Sequence, residues 1–394
     1  MDILNSILLA FGSFFAHPLL YVGLLTLYIM ATRRVKKERS FFHTRVYSRM
    51  ADVVVPFWSS LVAGIILSVL FILIGLVISW PVLLVIAVTY ILLFLTLQLR
   101  WLSPSYTLGL TIIIITLLPF MREFEWVAPY YSAVHIETVL PGLVVLMGAL
   151  ILTEGLLINR NGAVYTSPRL ERATRGRWVG FHLAERLWIV PVVLLIPGGL
   201  IPALDFWPVI PFFGMDFQPL LLPFLIGFKQ KLTSTLPMTV LPKVGRDVVI
   251  LGLILLAVAV GTMYVSWLAL VAAILAILGR EFLWQRTTYL QAKGSAIFAE
   301  KTDGCTILGV LPGSLAEKMN LEIGETIVKV NGQHVSDETS FYEALQQNSA
   351  FCKLDVLDYD QEVRFEQGAL YDSEHHQLGV LLVKTDKTLS NSVT

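Results

Sequence analysis

Few residues in this 394-residue chain stand where they could do chemistry, and their spacing limits which chemistry that is. His135-Ile136-Glu137 sets an imidazole near a carboxylate, yet no second histidine follows at the helical spacing that puts two zinc ligands on one face. No Gly-x-Ser-x-Gly turn presents a nucleophilic serine, and no glycine-rich loop ends in Gly-Lys-Ser or Gly-Lys-Thr to cradle a phosphate. His17, His43, His135 and His182 are scattered and read as structural or solvated. Cys305 and Cys352 form a lone pair without metal-ligand spacing and are expected as buried, reduced thiols. Asp205 and Asp216 lie in a stretch, 187–228, that holds seven prolines. Broken helices of that composition can line an ion path, which would make the chain a transporter or channel. Two irregular spans joined by an outside turn near Asp205 are the simpler reading, because neither carboxylate is central in a clean apolar run. These residues make no catalytic or metal-ligating signature, and no catalytic residue, metal site or cofactor is expected from them.

Composition decides which elements carry them. At 56% hydrophobic and 15% charged, the chain is too apolar for a soluble globule of its length. It reads as a polytopic α-helical membrane domain over 1–292, a small α+β domain over 293–385 and a polar tail over 386–394. A net charge of zero hides an asymmetry: 1–292 carries 21 Lys and Arg against 13 Asp and Glu, and 293–394 carries 8 against 16. An acidic module below a basic membrane face is held off anionic lipid, which favours protein partners over phospholipid headgroups or nucleic acid.

The spans follow from hydropathy and basic loops. Residues 3–32 are apolar but broken at His17-Pro18, as one kinked span or a re-entrant piece before a span. With no basic region ahead of it, this segment is expected to stay as an anchor. The segment 33–49 carries seven basic residues against one Glu and is the strongest cytoplasmic marker. Further spans are expected at 61–79, 81–98, 106–121 and 138–158, two within 187–228, and a two-span hairpin within 248–279 turning near 261–267. Eight spans after residue 49, with the first segment as a ninth or a re-entrant piece, put the basic loops 33–49, 159–186, 229–246 and 280–293 on the cytoplasmic side with the tail domain.

Within that tail domain, Cys305–Val310 is an apolar run of strand length and Ser314-Leu-Ala-Glu317 is a capping box. Gly324 ends a short helix and its turn, 326–330 alternates as a strand, and Asn331-Gly332 favours a tight hairpin. A second box, Ser340-Phe-Tyr-Glu343, opens a helix with Phe341, Ala344 and Leu345, and strands are expected at 353–357 and 362–366. The order resembles a PDZ domain, with Glu325 where the family usually has Asp. That resemblance implies a groove in which a partner's chain end adds as a strand, its carboxylate held by backbone amides. The Gly-Leu-Gly-Phe loop of well-known members is not intact. Gln377-Leu378-Gly379-Val380 is the nearest match and implies a circularly permuted order, with Phe341 and Leu345 on the facing helix; 296–299 is the alternative, and Leu378 and Val380 could equally be plain core residues. His375-His376, beside that loop, could couple binding to pH or be loop residues.

Many spans, a basic first loop and one C-terminal PDZ-like domain without a protease motif together resemble the MinJ family of cell-division topological determinants. His17-Pro18-Leu-Leu-Tyr ahead of the basic segment and the terminal His-x-Leu-Gly-Val strand fit that family across nearly the full length. The resemblance implies a membrane adaptor at division septum and cell poles, linking a DivIVA-like scaffold to a MinD-like ATPase. Its rivals are the transporter above and a PDZ cofactor that presents substrates to a membrane protease.

Overall fold

The computed structural model describes residues 2–121, 123, 136–173, 178–201, 216–301, 303–348, 351–369 and 378–383. Two apolar helices open the chain, α1 (Asp2–Ala16) and α2 (Pro18–Phe42), bent by 48° at their junction. His17 makes the break: its side chain accepts from the Leu19 amide, and Pro18 stands where the helix needs no N–H. Beyond them, α3 (Ala51–Leu73), α6 (Ile136–Asn161), α7 (Pro237–Thr262) and α8 (Leu268–Lys293) are each long and apolar enough to cross a bilayer. The shorter α4 (Trp80–Leu95) and α5 (Pro104–Leu117) are also apolar. This is a helical N-terminal region with the expected hairpins α3–α4 and α7–α8.

Between α6 and α7 the expectation of two further helical spans is wrong. The chain instead forms a three-stranded antiparallel sheet, β1 (Ser167–Arg172), β2 (Trp178–Ile201) and β3 (Phe217–Leu232), in the order β1-β2-β3. Each proline inside a helix would forfeit a hydrogen bond and cost about 3 kcal/mol. In the sheet Pro191 faces Pro223, so two missing amides fall at one register, and Pro197 sits at a bulge. The hairpin is packed among the helices, with Trp188, Val190, Leu225 and Phe228 fully buried. Its outer polar groups therefore need partners. Ser68 Oγ on α3 accepts from the Val193 amide at 2.8 Å, the Tyr90 hydroxyl on α4 donates to the Leu225 carbonyl at 3.0 Å, and the turn after α3 exchanges backbone bonds with Leu195. A hairpin returns to the side it left, as two spans would, so the sides of the flanking loops keep their parity. Asp216 is exposed at the start of β3, and Asp205 lies outside the described residues.

The C-terminal domain is strand-rich: β4 (Cys305–Val310), α9 (Leu315–Lys318), β5 (Thr326–Val330), β6 (Gln333–His334), α10 (Glu338–Gln346), β7 (Phe351–Leu357), β8 (Val363–Ala369) and β9 (Val380–Leu382). The sheet runs β8-β7-β5-β4-β9, with β6 hairpinned to β5 through Asn331 and Gly332, whose φ values are +51° and +85°. Ser314 caps α9, but Glu317 reaches back to the Gly313 amide at 2.6 Å rather than to that of Ser314. The second cap also differs: α10 starts three residues earlier than expected, because Asp337 is its N-cap and Ser340 the reciprocal partner. Both cysteines are free and buried, and burial pushes each thiol up to about 12.

Candidate peptide groove

The groove begins with β9. It is the terminal strand of the sheet, paired with β4 on one side only among the described residues, and α10 lies beside it. A cavity of about 220 Å³ opens there, lined on one side by Gly379, Val380 and Leu382 and on another by Glu338 and Tyr342 of α10. Gly379 has φ +87°, a conformation a side chain would strain, and an added Cβ would overlap the Ser314 side chain. The carbonyls of Leu378 and Gly379 accept from the amides of Ala316 and Leu311, which ties the loop to the cap of α9.

The third wall comes from the N-terminal region. Phe42, His43 and Thr44, where α2 ends in the left-handed residue His43, face Gly379 and Tyr342 across the cavity. Val46 and Tyr47 then pack on Leu381. A buried charge network holds this turn. Glu38 accepts from the Val46 amide at 2.9 Å and the Ser167 hydroxyl at 3.1 Å, while Arg34 donates to Glu38, to Asp52 and to the carbonyls of Tyr47 and Ser48. Arg34, Glu38 and Asp52 are all buried, so each charge depends on the others for its solvation.

A separate contact seats the domain on the sheet. The Gly180 amide of β2 donates to the Phe298 carbonyl at 2.7 Å, Val179 bridges Ala299, and His182 stands between Thr166 and the Leu308 carbonyl, 2.9 Å from each. The 296–299 stretch, the alternative peptide-binding strand, thus already has β2 as its neighbour.

Of the five residues the sequence pointed to, Gly379 and Val380 line the cavity. Leu378, Phe341 and Leu345 are in the hydrophobic core, each at most 2% exposed. On α10 the buried face is Phe341, Ala344 and Leu345, and the groove takes the neighbouring face of Glu338 and Tyr342, four residues apart.

A family model described as "PDZ domain" matches residues 306–354. The chain is 36% identical over 95% of its length, and 94% of the relative's, to "Cell division topological determinant MinJ" of Bacillus subtilis (strain 168). The chain belongs to the MinJ family. A more distant relative, "Probable cell division topological determinant MinJ" of Lacticaseibacillus paracasei, is 24% identical over 89% of this chain and 91% of its own. In this MinJ-family chain, sequence reading missed Tyr342 and the Phe42–Thr44 wall. The apolar set Phe341, Ala344 and Leu345 was the available signal for the first, since a face that fills the core leaves Tyr342 beside it for the groove. Nothing local signals the second, which depends on where α2 meets the C-terminal domain.

Proposed function

We propose that this protein is a non-enzymatic membrane adaptor of the division site, linking a DivIVA-like scaffold to a MinD-like ATPase through contacts on its basic, cytoplasmic side. In this reading a partner's extended chain end adds to the open edge of β9, with Gly379 and Val380 at its head and Tyr342 covering its side chain. The observation that supports it is the cavity between β9 and α10, at a strand edge to which no further strand pairs among the described residues. The Phe42–Thr44 wall makes the groove a joint product of both regions, so partner binding would depend on the membrane-anchored chain as a whole.

Gly379→Val is a poor test, because its side chain would displace the Ser314 cap and perturb the fold. Tyr342→Ala is cleaner, since Tyr342 is only partly buried and faces the cavity. A fluorescent fusion of the wild type is expected at septa and poles of dividing cells, with a MinD-like ATPase recruited there. The Tyr342→Ala fusion should still reach the membrane but lose that recruitment. Unchanged recruitment by a stable Tyr342→Ala protein would remove the groove from this role.

A further inference from the structure

α2 changes character along one face. Ile29 and Met30 are followed at helical spacing by Arg33, Lys36 and Lys37, and all five line a cavity of about 420 Å³. The facing wall is mostly apolar, built by Phe94, Leu97, Leu99 and Leu102, with Gln98 among them, from the end of α4 and the turn after it. Leu97 is half exposed, so the cavity opens onto the outer apolar surface of the bundle. The third wall is the sheet, with Arg169 of β1, Glu185 of β2 and Lys229 of β3.

Five cations therefore face one carboxylate. Glu185 is 2.7 Å from Lys229 and 3.5 Å from Arg169, so the sheet's cations share it. Among the described residues Arg33, Lys36 and Lys37 have no ion-pair partner, and Arg169 Nε is buried without an acceptor. A buried donor left without an acceptor is costly, and a guanidinium beside ammonium groups suits phosphate oxygens.

We propose that this cavity binds a phosphate-bearing anion supplied by an anionic phospholipid, whose headgroup meets the cations and whose acyl chains start along Phe94, Leu97 and Leu102. The basic end of a membrane helix is where such headgroups lie. An acidic peptide could satisfy the cations but would leave the apolar wall, which is continuous with the outer surface, without a counterpart.

The test uses full-length protein in nanodiscs of phosphatidylcholine containing phosphatidylglycerol, with the retained phosphatidylglycerol counted by native mass spectrometry. Arg33→Gln and Lys229→Gln, on separate elements, should each lower its affinity by at least about fivefold, the worth of one basic contact near an anionic surface. Lys229→Gln should cost more, because it leaves the Glu185 carboxylate turned toward the anion with only Arg169 beside it. Arg39→Gln and Arg45→Gln, in the same basic segment but outside the cavity, should change nothing. Equal losses in the control and cavity variants would reduce the effect to general surface charge and overturn the site. So would unchanged retention in both cavity variants. A parallel titration with inorganic phosphate, in phosphatidylcholine alone, separates the two sources. Phosphate binding as tight as the lipid's, and weakened by Lys229→Gln, would make the free anion the ligand and overturn the lipid assignment. External thiol labelling at Glu123→Cys checks that each variant inserts as the parent does.

Discussion

At His182 the partners fix the ring's protonation. The Leu308 carbonyl can only accept, so Nε2 carries the proton, and Nδ1 accepts from the Thr166 hydroxyl. Burial lowers this histidine from 6.5 to about 4, since a charged ring there would be poorly solvated. The sign of the pH effect follows. Above 6.5 the ring is neutral whether or not the C-terminal domain is docked, and docking has its full strength. Between 6.5 and about 4 the undocked ring takes a proton that the docked ring refuses, so docking weakens as pH falls. The full effect is roughly 3 kcal/mol. The protection factors of the Gly180 and Leu308 amides, with each rate taken relative to an unprotected amide at the same pH, should therefore fall between neutral pH and about pH 5. His182→Gln, which keeps an amide donor for Leu308, should flatten that dependence. Equal protection at both pH values in the wild type would refute this role for the ring.

Among the elements, the β2–β3 hairpin is the part that sequence conveyed least. Prolines, β-branched residues and leucines in 187–228 suit neither a clean helix nor an alternating strand, because both faces of the hairpin are buried. Its edge partners, Ser68 and Tyr90, lie more than a hundred residues away in sequence. By contrast, the His17-Pro18 break, the α7–α8 turn, the Asn331-Gly332 hairpin and strands β4 and β5 were all legible, because caps, turn residues and period act locally. The groove was half legible for the same reason: Gly379 announces itself by residue type, while Tyr342 needed the apolar face of α10 assigned to the core and the Phe42–Thr44 wall needed the tertiary arrangement. A test of the hairpin lies on α3, where Gly64 sits against the Pro191 backbone and ring with no space for a side chain. Gly64→Leu should push the hairpin off α3 and destabilise the protein by roughly 1–3 kcal/mol or more, as overpacking does. Thermal unfolding in detergent measures this. An unchanged transition would mean that α3 and β2 do not pack in this way.

Taken whole, the molecule brings a membrane helix, an inserted hairpin and a PDZ domain to one meeting point. The Arg34–Glu38–Asp52 cluster sets the end of α2, the start of β2 seats the C-terminal domain, and the groove forms where they converge. In the proposed role this arrangement orients the groove relative to the bilayer before a partner arrives. The most direct measurement is the affinity of a DivIVA-like scaffold and of a MinD-like ATPase for the full-length protein in nanodiscs, compared among wild type, Tyr342→Ala and Glu343→Ala. Strand addition with one or two side-chain pockets predicts roughly micromolar binding, about −8 kcal/mol, for at least one of the two. Tyr342→Ala should weaken it by about tenfold or more, a loss of roughly 1.4 kcal/mol, while Glu343→Ala, exposed on the same helix and away from the cavity, should leave it unchanged. Binding of both partners unaltered by Tyr342→Ala, in protein that remains folded, would contradict the account.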